Sequence, residues 1–381
     1  MTRQLSAPPV HMLNLQPEIA ELRGELHAAF DRVLDSGSFI LGTELRALEA
    51  ELAAFLGVRH AVGVNSGTDA LIIGLRALGI GPGDEVITSP FTFFASAESI
   101  ALVGATPVFV DIEPDSFNLD PVLIETAITP RTKAIMPVHL YGRAAAMQQL
   151  LSIAERHDLK VIEDNAQAIG AGAADLPGSP FTGSVGDIGA LSFYPTKNLG
   201  AYGDAGMLTT NDPVLAETAL KLRSHGSLVT YQNELLGYNS RLDELQAAIL
   251  RVKLPHLTSW NERRRALAAA YLTELGDLPG LRLPAVTPGH VFHQITCRVT
   301  TNRDVFVREL HQSGVMVNIY YPKLASELGG AGWDPGHTPV AAQAAREVVS
   351  LPILPLGPED PAFERVCSAV RAAAFAAAAA G

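Results

Sequence analysis

Cysteines, basic residues and long apolar runs are all scarce in this chain, and each scarcity excludes a class of protein. Cys297 and Cys367 are its only cysteines, so we expect neither a disulfide framework nor a cysteine metal site, and no metal. The formal net charge is −12, which argues against a nucleic-acid-binding protein, because those usually present a basic face. A globular enzyme fits this composition best.

Membrane-spanning segments are also missing from the sequence. No run of about 18 apolar residues occurs, and residues 1–10 lack the apolar core of a signal peptide. The alanine-rich end, RAAAFAAAAAG, is too short and too weakly apolar to span a bilayer. We therefore expect a cytoplasmic protein without membrane partners.

Strand and helix patterns alternate through the first half of the chain. The segments AVGV, DEVIT, PVFVDI, KAIMPVHL and KVIED predict strands, and helix-spaced segments lie between them. This alternation is typical of a parallel, doubly wound sheet, whose ligands bind beyond the carboxyl ends of the strands. Polar turns follow predicted strands there, at residues 65–69, 89–93 and 164–167.

The length of 381 residues predicts two domains, a large domain at 1–255 with an N-terminal helical segment and a small one at 256–381. Ser240 and Asp243 fit a capping box before a helix. In the second domain, strands are predicted near residues 293–299 and 316–320, with a helix between them and a last helix after LPILPLGP.

The segment SFYPTKNLGAYGDAGMLTT places Lys197 beside closely spaced glycines. Glycines allow tight turns, and a lysine held there among aromatic residues can lose hydration, acquire a lower pKa and act as a neutral amine. A solvated surface lysine is the alternative interpretation.

The segment NSGTD predicts a turn before a helix that opens at Thr68 or Asp69. The free N–H groups of such an opening attract phosphate, although Ser66 and Thr68 would also serve as simple helix caps. GIGPGDE precedes a strand instead of following one, so it lacks the context of a dinucleotide-binding fingerprint.

Lys197, Asp164 and the 66–68 turn would together match the three reactive ends of pyridoxal 5′-phosphate (PLP), if they meet at one sheet edge. A neutral amine can form a Schiff base with the aldehyde, a carboxylate can keep the pyridine nitrogen protonated, and a helix start can bind the phosphate. Phe93 could stack on the ring. Separately, Asp164 could be a solvated strand end and Phe93 a core residue.

The sequence resembles the DegT/DnrJ/EryC1/StrS family of PLP-dependent sugar aminotransferases from FILG near residue 40 to SLPILP near residue 350. The matching motifs are NSGTDAL, GIGPGDEVIT, GATPVFVDI, PRTKAIMPVHLYG, VIEDNAQAIGA, SFYPTKNLGAYGDAG and GYNSRLDELQAAILRVKL. The resemblance implies an α/β PLP-dependent transferase of fold type I. Its large domain would hold a mainly parallel seven-stranded sheet between helices, beside a smaller α+β C-terminal domain.

The resemblance also implies roles for particular residues. Lys197 would carry the Schiff base and the proton, Asp164 would pair with the pyridine nitrogen, and Gln167 would contact the phenolic oxygen of the ring. Phe93 would stack on the ring.

The phosphate would be held by Gly67, Thr68 and Ser192. Family members are homodimers with shared active sites, so Asn239 would reach the phosphate in the other subunit.

The implied reaction transfers an amino group, usually from glutamate, to a keto group of a nucleotide-linked hexose, for amino-sugar or polysaccharide biosynthesis. Family members that act on 3-keto sugars often have an acidic residue at the position of Asp69, so the resemblance implies a 3-keto rather than a 4-keto substrate. Asn165, Ile169 and Tyr320 depart from the common family pattern, as does the segment after Tyr320. These departures affect expected substrate contacts more than cofactor chemistry.

Three alternative functions would each need a sequence feature that differs from those present. A PLP sugar dehydratase of this family would have histidine in place of Lys197. A non-catalytic regulatory homologue would have lost Lys197 or Asp164. A nicotinamide-dependent dehydrogenase would need a glycine fingerprint directly after a strand.

Overall fold

The computed structural model of the protein describes residues 8–330 and 332–380. Its α-helices, in chain order, are α1 (Gln16–Ser36), α2 (Thr43–Leu56), α3 (Gly67–Ala77), α4 (Ala95–Leu102), α5 (Pro121–Ile124), α6 (Met147–Arg156), α7 (Pro213–Arg223), α8 (Glu244–Lys253), α9 (Leu257–Leu275), α10 (Arg303–Gln312), α11 (Pro339–Glu347) and α12 (Phe363–Ala379). Among the described residues, no helix combines the length and apolarity needed to cross a bilayer.

The strands form two sheets. They are β1 (His60–Val64), β2 (Glu85–Thr88), β3 (Thr106–Phe109), β4 (Thr132–Met136), β5 (Lys160–Asp164), β6 (Ile188–Ser192), β7 (Gly206–Thr210), β8 (Leu281–Arg282), β9 (Ile295–Val299) and β10 (Val348–Leu351). The large sheet has seven strands in the order β1-β7-β6-β5-β4-β2-β3, and the small sheet has the order β10-β9-β8.

The large sheet is mainly parallel, as predicted. Neighbouring strands from β3 to β6 are parallel, while β7 is antiparallel to both β6 and β1. The carboxyl ends of β1, β5 and β6 therefore reach one edge of the sheet, and the amino-terminal end of β7 joins them there. This topology brings the polar turns together.

Helices cover both faces of the large sheet, which explains why its strands are apolar throughout. On one face Ile73 of α3 packs in a cluster with Ile162 and Leu208. On the other face Leu52 of α2 packs in a cluster with Met207. Burial on both faces removes the polar alternation of a half-exposed strand.

The helix before the second domain is not capped as predicted. Asp243 is the N-cap of α8 but makes no side-chain capping bond, and Ser240 Oγ donates instead to Asp69 Oδ2 at 2.6 Å. The carboxylate of Glu244 caps α2, accepting from the backbone N–H of Gly42 at 2.7 Å and of Glu44 at 2.8 Å. Distant contacts have replaced the local capping box.

The small sheet is antiparallel, and it contains β10 in place of the strand predicted near residues 316–320. Residues 316–320 form no strand, since Asn318 makes only an isolated bridge to Ser350, which itself lies in β10 and pairs with Thr296 of β9. Every residue of β10 is buried, so this more apolar segment occupies the sheet position. The predicted helix between the strands is α10, and the predicted last helix is α12.

The N-terminal segment reaches the small sheet region. Val10 bridges Val315, and Leu13 bridges Ile353. Val10 also belongs to the hydrophobic cluster around α9, α10 and α12. The division of the chain at residue 255 stays a prediction.

Candidate active site

The turn after β1 leads into α3 at the site edge of the sheet. Ser66 is the N-cap, and its Oγ accepts from Asp69 N at 3.1 Å, so α3 begins at Gly67, slightly before the predicted start. A Cβ at Gly67 would lie 2.7 Å from Ser192 Cβ. Glycine thus lets the helix start lie directly against the end of β6, with both facing one cavity.

Asp164 ends β5 with a buried and firmly held carboxylate. Its Oδ2 accepts from Ser96 Oγ at 2.7 Å, and its Oδ1 accepts from Ala166 N at 3.2 Å. Ser96 is itself hydrogen-bonded to Thr92 Oγ1 at 2.9 Å. The opening of α4 therefore orients the carboxylate at the end of β5.

Lys197 lies in the turn after β6, where its backbone N–H donates to Tyr194 O at 2.8 Å. The surrounding protein atoms desolvate its ammonium group and lower its pKa from 10.5 to about 8, although the charge of Asp164 opposes this shift. A substantial fraction of this lysine is consequently a neutral amine near physiological pH, as the sequence predicts.

Gln167 is held at both ends of its amide. Its Oε1 accepts from Tyr141 N at 2.7 Å, and its Nε2 donates to Tyr321 Oη at 2.9 Å. Burial raises the pKa of Tyr321, which keeps that phenol protonated. Phe93 is 60% exposed, and the centroid of its ring lies 6.1 Å from that of Tyr321.

These groups line a cavity of about 510 Å³. The structure brings together there seven residues that the sequence indicated: Gly67, Thr68, Phe93, Asp164, Gln167, Ser192 and Lys197. Asn239 is exposed, pairs through its backbone with Ser224, and is not among the described residues that line this cavity. Asp69 is likewise absent from the described lining and bonds Ser240 instead.

Ser96, Tyr321 and His293 also belong to the site, but the sequence did not single them out. Tyr321 and His293 line the cavity, and Ser96 holds Asp164 from behind. Ser96 is a serine in a largely apolar helix, a sequence signal that points to a polar partner once the helix is buried, and Ser99 of the same helix gives the same signal. The other two come from distant parts of the chain, so no local spacing relates them to Lys197.

Comparison with known proteins agrees with this geometry. The model of the DegT/DnrJ/EryC1/StrS aminotransferase family matches residues 20–371. The chain belongs to this family.

Individual relatives extend over almost the whole chain. A UDP-N-acetyl-3-dehydro-alpha-D-glucosamine 3-aminotransferase from Acidithiobacillus ferrooxidans is 49% identical over 93% of this chain and 95% of its own. A dTDP-3-amino-3,4,6-trideoxy-alpha-D-glucose transaminase from Streptomyces venezuelae is 48% identical over 97% of this chain and 98% of its own. The crystal structure of S. venezuelae DesV with a ketimine intermediate superposes with a TM-score of 0.91, at 48% identity, over 97% of this chain and 99% of that one.

The enzyme is therefore a PLP-dependent aminotransferase of fold type I. Its own cavity fits this cofactor on physical grounds. An amine of lowered pKa, a buried carboxylate and the start of a helix face the same space, and Gly67 lets that helix start lie against the end of β6. When bound, PLP supplies an electron sink that the protein's side chains lack.

Proposed function

We propose that this aminotransferase moves an amino group from L-glutamate to the C3 keto group of a nucleotide-linked hexose. The observation that carries the reaction type is the convergence of Lys197, Asp164 and the start of α3 on one cavity. The relatives named above support the substrate class, because both names specify a 3-amino or 3-dehydro sugar attached to a nucleotide. One carries UDP and the other dTDP, so the proposal leaves the nucleotide open.

Lys197 is the proposed proton carrier. Its pKa of about 8 allows it to accept a proton from the amino donor and to return one during the same catalytic cycle. Asp164 is proposed to hold a protonated pyridine nitrogen, because its buried carboxylate is fixed by Ser96. Gln167 is proposed to contact the phenolic oxygen and Phe93 to cover one ring face.

The phosphate is proposed to rest at the start of α3. Gly67 and Thr68 present their backbone N–H groups in the first turn of this helix, and Ser192 supplies a hydroxyl beside them. These three groups form one continuous wall of the cavity.

We further propose a homodimer in which each subunit completes the other's site. An exposed apolar loop supports this arrangement, since Tyr231 is 96% exposed and Leu236 is 87% exposed. Asn239 closely follows this loop and is exposed, which suits a contact with a partner subunit.

A glutamate half-reaction tests the proposed chemistry. Purified protein loaded with PLP should show a visible absorption band that moves to the near ultraviolet when glutamate is added, with release of 2-oxoglutarate. Addition of UDP- or dTDP-linked 3-keto hexose should restore the visible band, and NMR of the product should place the amine on C3. A C4 amine would contradict the proposed position. Loss of water from the sugar without a new C–N bond would identify a dehydratase. A PLP band that glutamate leaves unchanged would indicate another donor or another PLP reaction, and failure to bind PLP would favour a regulator.

Mixed subunits test the shared site. Lys197→Ala and Asn239→Ala chains, each inactive alone, should regain about a quarter of wild-type activity when coexpressed, because half the dimers then contain one intact site. No recovery in verified mixed dimers would place Asn239 and Lys197 in the same site of one chain.

A further inference from the structure

A second cavity of about 320 Å³ adjoins the Lys197 cavity. The two share four wall residues, which are Thr196, His293, Gln294 and Tyr320. The far walls come from residues 11–13, from Arg264 of α9 and from Asn318. A molecule reacting beside Lys197 could therefore extend part of its length into this second space.

Arg264 gives this space a positive charge. Its Nη1 donates to the backbone oxygens of Phe292 and His293, both at 3.3 Å, and it forms no ion pair with any described carboxylate. Burial lowers its pKa to about 10, partly offset by the charge of Glu18, so it remains cationic at neutral pH. A desolvated guanidinium with unused donors is a strong receptor for a planar anion.

The neighbouring polar groups suit one negative charge. Gln294 lines this space, and its Oε1 is buried without a hydrogen-bond partner in the structure. Asn318 Nδ2 donates to Tyr320 Oη at 2.8 Å, which fixes that wall. Burial, Lys197 and Arg264 hold the pKa of His293 low, so its ring adds no further positive charge to the shared wall.

We propose that this second cavity binds the side-chain carboxylate of a dicarboxylic amino donor, with Arg264 as its cation. The proposal rests on the proposed function, because it gives a physical reason for choosing glutamate over a neutral amino acid. Arg264 is the only lysine or arginine among the described residues of this lining, and one guanidinium balances a carboxylate. The diphosphate of a nucleotide carries two charges and would leave one unbalanced.

Arg264→Met tests the proposal, with Arg265→Met as the matched control. Arg265 lies on the same helix and also donates to a backbone carbonyl, that of His290 at 3.3 Å, but it lines neither cavity. The half-reaction would be followed with glutamate and with 2-aminobutyrate, which lacks only the side-chain carboxylate. Loss of a buried charge partner should lower kcat/KM for glutamate by roughly 30-fold or more, and for 2-aminobutyrate by less than about 3-fold. Arg265→Met should leave both values unchanged.

Equilibrium binding separates a failure of this subsite from a failure of the proposed reaction. By calorimetry, wild-type holoenzyme should bind glutarate at least tenfold more tightly than butyrate, and Arg264→Met should lose that preference. Suppose that the wild type turns over glutamate and that a folded Arg264→Met protein prefers glutamate over 2-aminobutyrate to the same degree. That result would overturn the subsite. Equal binding of glutarate and butyrate by the wild type would overturn it without any variant. If Arg264→Met loses binding of UDP or dTDP but keeps its binding of glutarate, Arg264 would instead be a ligand of the nucleotide.

Discussion

Ser96 donates a 2.7 Å hydrogen bond to the carboxylate of Asp164, although 68 positions separate the two residues. Ser96 belongs to α4 and Asp164 ends β5, so the bond ties the opening of a helix to the functional edge of the sheet. Both side chains are buried, which makes the bond strong and its loss costly.

Ser96→Ala should weaken retention of PLP. The carboxylate of Asp164 would lose its fixed orientation and a charge-assisted hydrogen bond, for which a loss of about 1.5–3 kcal/mol is typical. We expect the Kd for PLP to rise roughly tenfold, as measured by fluorescence titration of apoprotein. Ser99→Ala is the control, because Ser99 Oγ donates to Ser96 O in the same helix without contacting Asp164. Equal effects of the two variants would show that helix packing alone is responsible.

The amine of Lys197 should titrate near pH 8. Its pKa falls from 10.5 to about 8, so the neutral, reactive form increases as the pH rises through 8. Labelling of apoprotein with an amine-selective reagent, read by mass spectrometry, should give this midpoint, with exposed Lys133 as an internal reference. A midpoint near 10.5 would contradict the desolvated site.

Asp164→Asn should move that midpoint to lower pH. Asp164 stabilises the charged form of Lys197 and raises its pKa, so removing the negative charge favours the neutral amine further. The same labelling experiment measures the shift. A midpoint that stays in place would show that the two groups do not interact.

Gly67→Ala should reduce affinity for phosphate at the start of α3. The new Cβ would lie 2.7 Å from Ser192 Cβ, which must push the helix start away from β6. We expect inorganic phosphate and PLP both to bind at least roughly fivefold more weakly, by calorimetry. Gly24→Ala is the control, since no atom lies within 4 Å of its added Cβ, and it should raise stability by about 0.5–1 kcal/mol.

Lys253→Met should destabilise the protein. The side chain of Lys253 is 1% exposed, forms a 2.6 Å ion pair with Glu18, and donates to Gly200 O in the turn after Lys197. Its removal leaves a carboxylate and a carbonyl without their partner, which costs about 3 kcal/mol, measurable by urea unfolding. Lys160→Met removes an exposed pair with Asp187 and should cost less than about 1 kcal/mol. Equal losses would contradict a special role of burial.

Much of the large sheet follows from local patterns in the sequence. Strand β5 spans the predicted KVIED segment, and β2 lies within the predicted DEVIT segment, because apolar residues over a few neighbouring positions indicate which part of an element is buried. The position of Asp164 at the end of β5 follows in the same way, and Lys197 lies in the glycine-rich segment after β6. Parallel strands then place both residues at one edge.

Partners far apart in the chain were outside the reach of those patterns. Ser240 fits a local helix cap but donates to Asp69 instead, and Glu244 caps α2 from about 200 positions away. Tertiary packing brought these distant hydrogen-bond partners closer than the partners nearby in the sequence. The segment 316–320 has strand composition, yet β10 takes the sheet position.

The sequence by itself therefore determined most of the predicted element types, the family and the chemical groups of the site. Only the tertiary structure decided which hydroxyl orients Asp164 and how far burial lowers the pKa of Lys197. It also decided that Arg264 lines a cavity next to the one that contains Lys197. The reason is physical: helix and strand preferences act over a few residues, whereas desolvation and hydrogen bonding depend on every atom that the fold brings near.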